Sequence, residues 1–350
     1  MTLALPSPRI IEADSAPALT WGVIGVGIAD RFVAALHAHT PQRAVAVTSR
    51  HPERAAEFAA RHGIAAVSES VEALVADPGI VAVYVGTPHP LHLEQALAAI
   101  AHGKHVLVEK PIAMSAAEAR TMTEAGRAAG VLVMEAMWTR YLPQSDIVRR
   151  VLADGLLGDV TVVLADFGFA APPDPTHRLW NPELGGGALL DAGVYPISFA
   201  SSVLGAPTEI HAVGTALGNG VDVQASLALA HASGATALLA TSLATVMPIE
   251  AQVLGSTGRL KVLSPFFGPS GVEVTSGQFA GAVVASWRDE RYTGTYDAMR
   301  DEAVAFATYV AEGRVESPIH PHHEVVSVMA TIDEAREQVA RGAGTKPGDR

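Results

Sequence analysis

Short β-branched runs alternate with amphipathic helical patterns from residue 19 to about 137, and this alternation sets the first expectation. The runs at 21–25, 44–48, 80–86, 105–108 and 131–134 are apolar nearly throughout, with a weaker candidate at 64–67. Between them, 28–38, 52–61, 71–76, 90–102 and 116–129 carry helical spacing. Near-continuous apolar strands separated by helices predict parallel βαβ units, a doubly wound sheet covered on both faces.

The pattern changes after 138–143. One helix is predicted over 144–154, and strand candidates then follow with few helices between them, at 159–169, 210–217, 221–229, 236–245, 250–254 and 259–262. Turns such as Gly218–Asn219–Gly220 and Ser233–Gly234 separate several of them, as in a largely antiparallel sheet. Closing helices are expected over 296–310 and 324–340. The fold class is therefore α/β, with a doubly wound parallel sheet followed by an α+β domain built on an open, mostly antiparallel sheet. The expected divisions are a loosely ordered extension (1–18), the doubly wound domain (19–138), a second domain (139–341) and a mobile tail (342–350).

Composition narrows the function classes. A chain of 350 residues suits two domains, and 49% hydrophobic residues with 17% charged supports a substantial core rather than disorder. A formal net charge of −12 without a basic stripe argues against a nucleic-acid partner. No apolar stretch is expected to reach the roughly 20 residues that span a bilayer, which argues against a membrane. Residues 1–18 carry acids and Pro6, Pro8 and Pro17 rather than the basic and apolar regions of a signal peptide, so the cytoplasm is the expected location. The absence of cysteine excludes disulfides, thiolate metal sites and thiol nucleophiles. Only Lys104, Lys110, Lys261 and Lys346 are lysines among 24 basic residues, so a lysine within a motif asks what an ammonium does there that a guanidinium cannot.

The first such motif is Gly25-x-Gly27-x-x-Asp30, lying between a predicted strand and a predicted helix. A tight glycine turn entering a helix points N–H groups at one spot and suits a pyrophosphate, held through Gly25, Gly27, Ile28 and Ala29. Asp30 stands where Gly or Ala is usual, so the fingerprint is incomplete. At the end of the second strand, Ser49 and Arg50 replace the acid that would bind a ribose 2′-hydroxyl. With Arg54 nearby, they favour the 2′-phosphate of NADP over NAD, the alternative being solvated arginines. Gly86, Thr87 and Pro88 end the fourth strand, with His92 at the following helix start, either lining the ligand or bonding locally. The fifth strand ends Glu109–Lys110–Pro111, which places a charged pair at the same crevice. A second glycine-rich segment, Gly185–Gly186–Gly187-x-x-x-Asp191-x-Gly193-x-Tyr195, puts Asp191 and Tyr195 on one face if it is helical. An N-cap role for the acid and a core role for the aromatic remain open.

These three motifs, in this order, resemble the glucose–fructose oxidoreductase/inositol dehydrogenase (Gfo/Idh/MocA) family over residues 19–340. Most members end the last motif with His. Tyr195, together with residues 135–143, is similar to the branch of dimeric dihydrodiol dehydrogenases and NADP-dependent D-xylose dehydrogenases. The resemblance implies a Rossmann domain, a mixed sheet that forms a homodimer interface, and Lys110 and Tyr195 as the catalytic pair. In that reading Tyr195 is the general acid/base assisted by Lys110. Asp191 orients Lys110 or binds a substrate hydroxyl, and the nicotinamide exchanges hydride with an alcohol or carbonyl carbon of a sugar, polyol or dihydrodiol. No metal is required. Trp138, Arg140, Arg178 and Trp180 are candidate substrate contacts, with core tryptophans and solvated arginines as the alternative. His320-x-His322–His323 is expected to be an exposed loop rather than a metal site. Two rival functions stay open: a non-catalytic dinucleotide-binding regulator of the same fold, and an NAD-dependent glycosidase.

Overall fold

The structure, a computed structural model, describes residues 5–277, 281–292 and 294–343. In chain order the first half runs β1 (Thr20–Ile24), α1 (Ala29–His39), β2 (Arg43–Thr48), α2 (Pro52–His62), β3 (Ala66–Val67), α3 (Val71–Val75), β4 (Ala82–Val85), α4 (His92–Ala101), β5 (His105–Glu109), α5 (Ala116–Ala129) and β6 (Val133–Ala136). The second half runs α6 (Pro143–Ala153), β7 (Val160–Gly168), α7 (Val194–Leu204), β8 (Pro207–Ala216), β9 (Asp222–His231), β10 (Thr236–Ser242), β11 (Ala251–Gly255), β12 (Gly258–Val262), β13 (Gly271–Ser276), β14 (Ala282–Arg288), α8 (Met299–Ala311) and α9 (His322–Ala343).

The chain divides into two compact units that are not contiguous in sequence. One gathers residues 10–142 and 292–325; the other gathers the segment through Arg9, residues 143–291 and the chain from Val326 onward. The break at 142 lies close to the expected boundary, but the expected span 139–341 is not one piece, because α8 and the segment after it group with the first sheet. Buried Gln42 shows how this comes about: its Oε1 accepts Trp21 Nε1 at 2.8 Å, while its Nε2 donates to the Ala303 carbonyl of α8 at 3.1 Å.

The sheet of the first unit has strand order β3-β2-β1-β4-β5-β6, all pairs parallel, which is the Rossmann order. Its central strands are buried on both faces, as their apolar runs predicted. Phe32 of α1 stacks on Tyr84 of β4 at a centroid distance of 4.0 Å, fixing the first helix against the middle of the sheet.

The sheet of the second unit has order β14-β13-β12-β11-β7-β10-β9-β8, antiparallel except for β7 with β10. Strands β7 to β12 match the predicted runs to within a few residues. β13 and β14 were not predicted. β14 is mostly exposed and lacks the alternating apolar signature that marks a strand packed on one face. The stretch Pro182–Leu204 is long and apolar enough to cross a bilayer by composition, against expectation, but 78% of its apolar window is buried within the protein. The extension is also less loose than expected. Arg9 binds Asp146 through its backbone N–H at 2.8 Å and its Nη2 at 2.7 Å, and Arg150 donates to the Ser7 carbonyl. Residues 1–4 and 344–350, including Lys346 and most of the expected tail, lie outside the described residues.

Candidate active site

The glycine turn after β1 has a steric explanation. Gly25 sits at φ +93°, where a Cβ would stand 2.7 Å from the Gly86 carbonyl oxygen. Gly27, in contrast, has nothing within 4 Å of where its Cβ would be. Gly25 is thus needed by the fold, and the open space at Gly27 is where a ligand can come close to the backbone. Helix α1 has Ile28 at its N-cap and so lacks a side-chain cap, whereas α3 and α5 are capped by Ser70 and Ser115. An uncapped helix start beside a bare glycine fits a pyrophosphate. Asp30 does not intrude on this spot. Its carboxylate pairs with Arg61 and lies 3.0 Å from His62 Nε2, both on α2. Burial alone would raise its pKa, but the His62 and Arg61 contacts outweigh that and lower it.

The remaining crevice residues lie at the ends of β2, β4 and β5. Ser49 accepts His51 N–H at 3.3 Å, and Arg50 and Arg54 are exposed. Thr87 donates to Gln95 Oε1 at 2.7 Å, and Pro88 precedes the turn that leads into α4. His92 is fully buried, with Nε2 2.9 Å from the Thr87 carbonyl and Nδ1 3.0 Å from the Pro111 carbonyl. It therefore ties the turns after β4 and β5 together. Glu109 is buried too; it accepts from the Tyr84 hydroxyl and takes Lys110 N–H at 3.1 Å on its other oxygen. Burial pushes the Glu109 carboxyl upward against the lowering effects of Tyr84 and Lys110. The other described lysines have structural occupations: Lys104 donates to two carbonyls at 2.7 Å, and Lys261 pairs with Glu250 at 2.7 Å.

Three carboxyls to which the sequence gave no role, Glu135, Glu302 and Glu324, complete this region. Glu135 on β6 is 1% exposed; Oε1 accepts Ile112 N–H at 2.9 Å and Oε2 lies 2.7 Å from His320 Nε2. Arg140 is buried in an ion pair with Glu324, so this substrate candidate is held by protein. Glu302 on α8 is wholly buried with no hydrogen-bond partner for either carboxyl oxygen, and burial, with Glu109, Asp301 and Glu135, pushes its pKa far up. The expectation of exposed histidines fails here, since His320 and His322 are buried and His323 alone of the three is exposed. No cluster suited to a metal ion occurs among the described residues.

In the second unit, residues 185–187 earn their glycines by packing. A Cβ on Gly186 would stand 2.7 Å from the carbonyls of Arg178 and Leu179, and one on Gly187 would stand 2.3 Å from Asp222 Oδ1. Leu189 N–H donates to Asp222 Oδ2 at 2.6 Å and opens a π-turn, Leu189–Gly193, that runs into α7. Such wide turns recur at functional positions. Asp191 lies within it and accepts Arg178 Nη1 at 2.7 Å. Tyr195, in the first turn of α7, is packed by Phe167 and Phe267 at centroid distances of 5.2 and 5.5 Å. Trp180 is buried with Nε1 donating to the Pro172 carbonyl at 2.8 Å, and Trp138, in the first unit, is buried against Tyr296. Arg178 is the one substrate candidate of the four with a largely exposed side chain, 47%.

A Rossmann sheet with a glycine turn at an uncapped helix start marks a dinucleotide-binding protein, and the other unit carries the π-turn with Asp191. Residues 19–137 match the oxidoreductase family with an NAD-binding Rossmann fold, and residues 145–261 match the GFO/IDH/MocA C-terminal domain. The chain belongs to the Gfo/Idh/MocA family and is an NAD(P)-binding oxidoreductase. It is similar to the trans-1,2-dihydrobenzene-1,2-diol dehydrogenases of Danio rerio, at 36% identity, and Mus musculus, at 33%, each covering 92% of this chain and 97% of the relative. Among solved structures it resembles a 3-ketoreductase from Actinomadura kijaniata in complex with NADP and TDP-benzene. That likeness has a TM-score of 0.80 and 30% identity, covering 92% of this chain and 98% of the other.

Two outcomes test this geometry. Gly27→Ala should fold with an unchanged denaturation midpoint yet bind NADP about tenfold more weakly by calorimetry, while Gly25→Ala should lose stability outright. Equal NADP affinity in wild type and Gly27→Ala would remove the turn from the cofactor site. The second outcome concerns acid. Burial would raise Glu324, but His320 and Arg140 outweigh it and lower its pKa from 4.5 to about 2. A carboxyl depressed on folding stabilises the protein above pH 4.5 and loses that contribution as pH falls towards 2, roughly 3 kcal/mol in all. Glu324→Gln should flatten the acid limb of stability between those values, measured by denaturant unfolding across pH 5 to 2. An unaltered limb would refute the ion-pair account.

Proposed function

We propose that the protein is an NADP-preferring dehydrogenase or reductase that transfers hydride between the nicotinamide and a secondary alcohol or carbonyl of a sugar, polyol or trans-dihydrodiol. The observation that carries this reading is the framing of the Tyr195 phenol by Phe167 and Phe267, which are stacked on each other at 4.7 Å. Flat apolar rings around one polar hydroxyl suit a cyclic substrate whose ring face is apolar and whose edge carries oxygen. The exposed Arg50 after β2, with no acid at that strand end, supports NADP over NAD. The names of the relatives, a dihydrodiol dehydrogenase and a 3-ketoreductase, fit the same substrate class.

The bound nicotinamide supplies the hydride acceptor or donor. In the oxidative direction Tyr195 takes the hydroxyl proton, and in the reductive direction it returns that proton to the new alkoxide oxygen. Lys110 stabilises the negative charge that develops on that oxygen. Asp191 orients Arg178 towards an adjacent substrate hydroxyl. A screen of aldoses, inositols and trans-dihydrodiols, read by NADPH absorbance with both cofactors, tests the class. Lys110→Met and Tyr195→Phe should each lower turnover about a hundredfold or more while NADPH affinity stays within about threefold. Near-normal turnover in both variants overturns the assignment.

A homodimer through the second sheet belongs to the same reading. On the open face of that sheet, Val213 is 72% and Leu238 is 51% exposed. Val213 pairs with Ser226, and Leu238 lies between Ala228 and Leu164 on the neighbouring strands, so small and apolar side chains run across four adjacent strands. Such a surface suits a second copy presenting the same strip. Light scattering should give twice the chain mass for wild type and the monomer mass for the Val213→Glu, Leu238→Arg double variant. A monomeric wild type sinks the proposal.

A further inference from the structure

The turn that carries Lys110 is gripped at three successive backbone groups by buried side chains. Lys110 N–H donates to Glu109 Oε2 at 3.1 Å, the Pro111 carbonyl lies 3.0 Å from His92 Nδ1, and Ile112 N–H donates to Glu135 Oε1 at 2.9 Å. Glu109 and His92 come from the sheet's own strand end and the neighbouring helix start. Glu135 differs, because its second oxygen is held 2.7 Å from His320 Nε2, a residue 185 positions later in the chain.

His320 is 2% exposed and Glu135 is 1% exposed. An ionised carboxylate has only acceptors, so the ring nitrogen facing it is the donor. The opposite ring nitrogen faces Glu324 at 3.7 Å, and Glu324 in turn is paired with Arg140. Ser317 fixes the backbone at this point, its hydroxyl accepting His320 N–H at 3.2 Å. A hydrogen-bonded run therefore extends from His320 through Glu135 to the peptide of Ile112, with the Glu324–Arg140 pair beside its far end, all within the unit that holds the Rossmann sheet. Packing alone does not need this. Apolar side chains would fill the same space without the desolvation of a carboxylate. What the polar pair adds is direction, because a carboxylate held from behind fixes one N–H in position and orientation.

We propose that Glu135 and His320 are a positioning pair for the Lys110 turn, so that the late segment 292–325 sets the geometry of the reacting ammonium through His320. This rests on the reading of Lys110 given under Proposed function. Neither residue touches substrate or cofactor in this role.

The test compares the full-length wild type with His320→Ala, His320→Gln and Glu135→Gln. Site-resolved amide hydrogen exchange needs no activity and reads the turn directly. In His320→Ala, exchange at Lys110 and Ile112 should quicken by about tenfold or more while the amides of β1 and β4 stay unchanged. His320→Gln, whose amide N–H still reaches Glu135, should restore slow exchange. In the same variants, kcat for NADPH-linked turnover should fall about tenfold or more in His320→Ala and recover in His320→Gln, with KM and NADPH affinity within about twofold throughout. Unchanged exchange at Lys110 and Ile112 overturns the proposal, and so does quickened exchange with normal kcat. If His320→Ala unfolds, Glu135→Gln takes its place: it keeps an acceptor for Ile112 N–H and removes the charge that faces His320, so it should exchange between wild-type and unclamped rates. A wild type that turns over no NADPH with any substrate would instead refute the proposed function, and the exchange data would still decide whether the clamp exists.

Discussion

A parallel strand buried on both faces can present chemistry only where it stops, and where it stops its backbone loses the sheet's hydrogen bonds. That constraint governs the end of β5. Its residues from Val106 to Glu109 are buried, and beyond Glu109 the N–H and C=O groups of the next three residues must find other partners or be left unsatisfied. Lys110 N–H finds Glu109, the Pro111 carbonyl faces His92, and Ile112 N–H finds Glu135. The same constraint applies at β1 and β4, where Gly25 N–H reaches the Thr48 carbonyl at 2.9 Å and Gly86 N–H reaches the Ile24 carbonyl at 2.8 Å. At those ends backbone answers backbone, because glycine lets neighbouring turns approach. At β5 the turn bears Lys110, so side chains must do the work.

Much of the first unit was legible because its signals are local. Apolar runs bounded by helical patterns gave the six parallel strands, and Gly25-x-Gly27 announced a turn whose geometry depends on a few neighbours. What sequence could not supply was partnership across distance. Asp30 looked like a defect in the fingerprint until Arg61 and His62 were found facing it from α2. His320 looked like part of an exposed loop because nothing in its neighbourhood points to Glu135. The three glycines at 185–187 stand in the motif without a partner visible in sequence, yet Gly186 and Gly187 are demanded by the carbonyls of Arg178, Leu179 and Asn181 and by Asp222, contacts between segments that no periodicity reveals.

The second unit shows how one segment can serve packing and chemistry together. Asp222 is buried, and burial raises its pKa against the hydrogen bond from Leu189 that lowers it. That bond starts the π-turn, and the π-turn delivers Asp191 beside Arg178 and Tyr195 beside two phenylalanines. Adding a Cβ at Gly187 would push against Asp222 and so disturb Asp191 indirectly. Gly193 adds to this, since a Cβ there would stand 3.2 Å from Thr241 on β10. The motif spacing thus encodes how closely a helix start can sit on a sheet, and the placement of the polar side chains follows from that packing.

The charges around the Lys110 turn can also be assigned. Three buried carboxyls, Glu109, Glu135 and Glu302, interact, and three negative charges in one desolvated region cannot all persist. Glu135 has His320 and the Ile112 N–H; Glu109 has Tyr84 and the Lys110 N–H. Glu302 has no hydrogen-bond partner on either oxygen, and burial pushes its pKa far up, the direction that favours the neutral acid. The other two carboxyls, Glu109 and Glu135, are the ones that hold backbone N–H groups. Orientation of the turn thus falls to the two acids that hold its N–H groups, and the acid that orients nothing is the one that burial drives strongly towards neutrality.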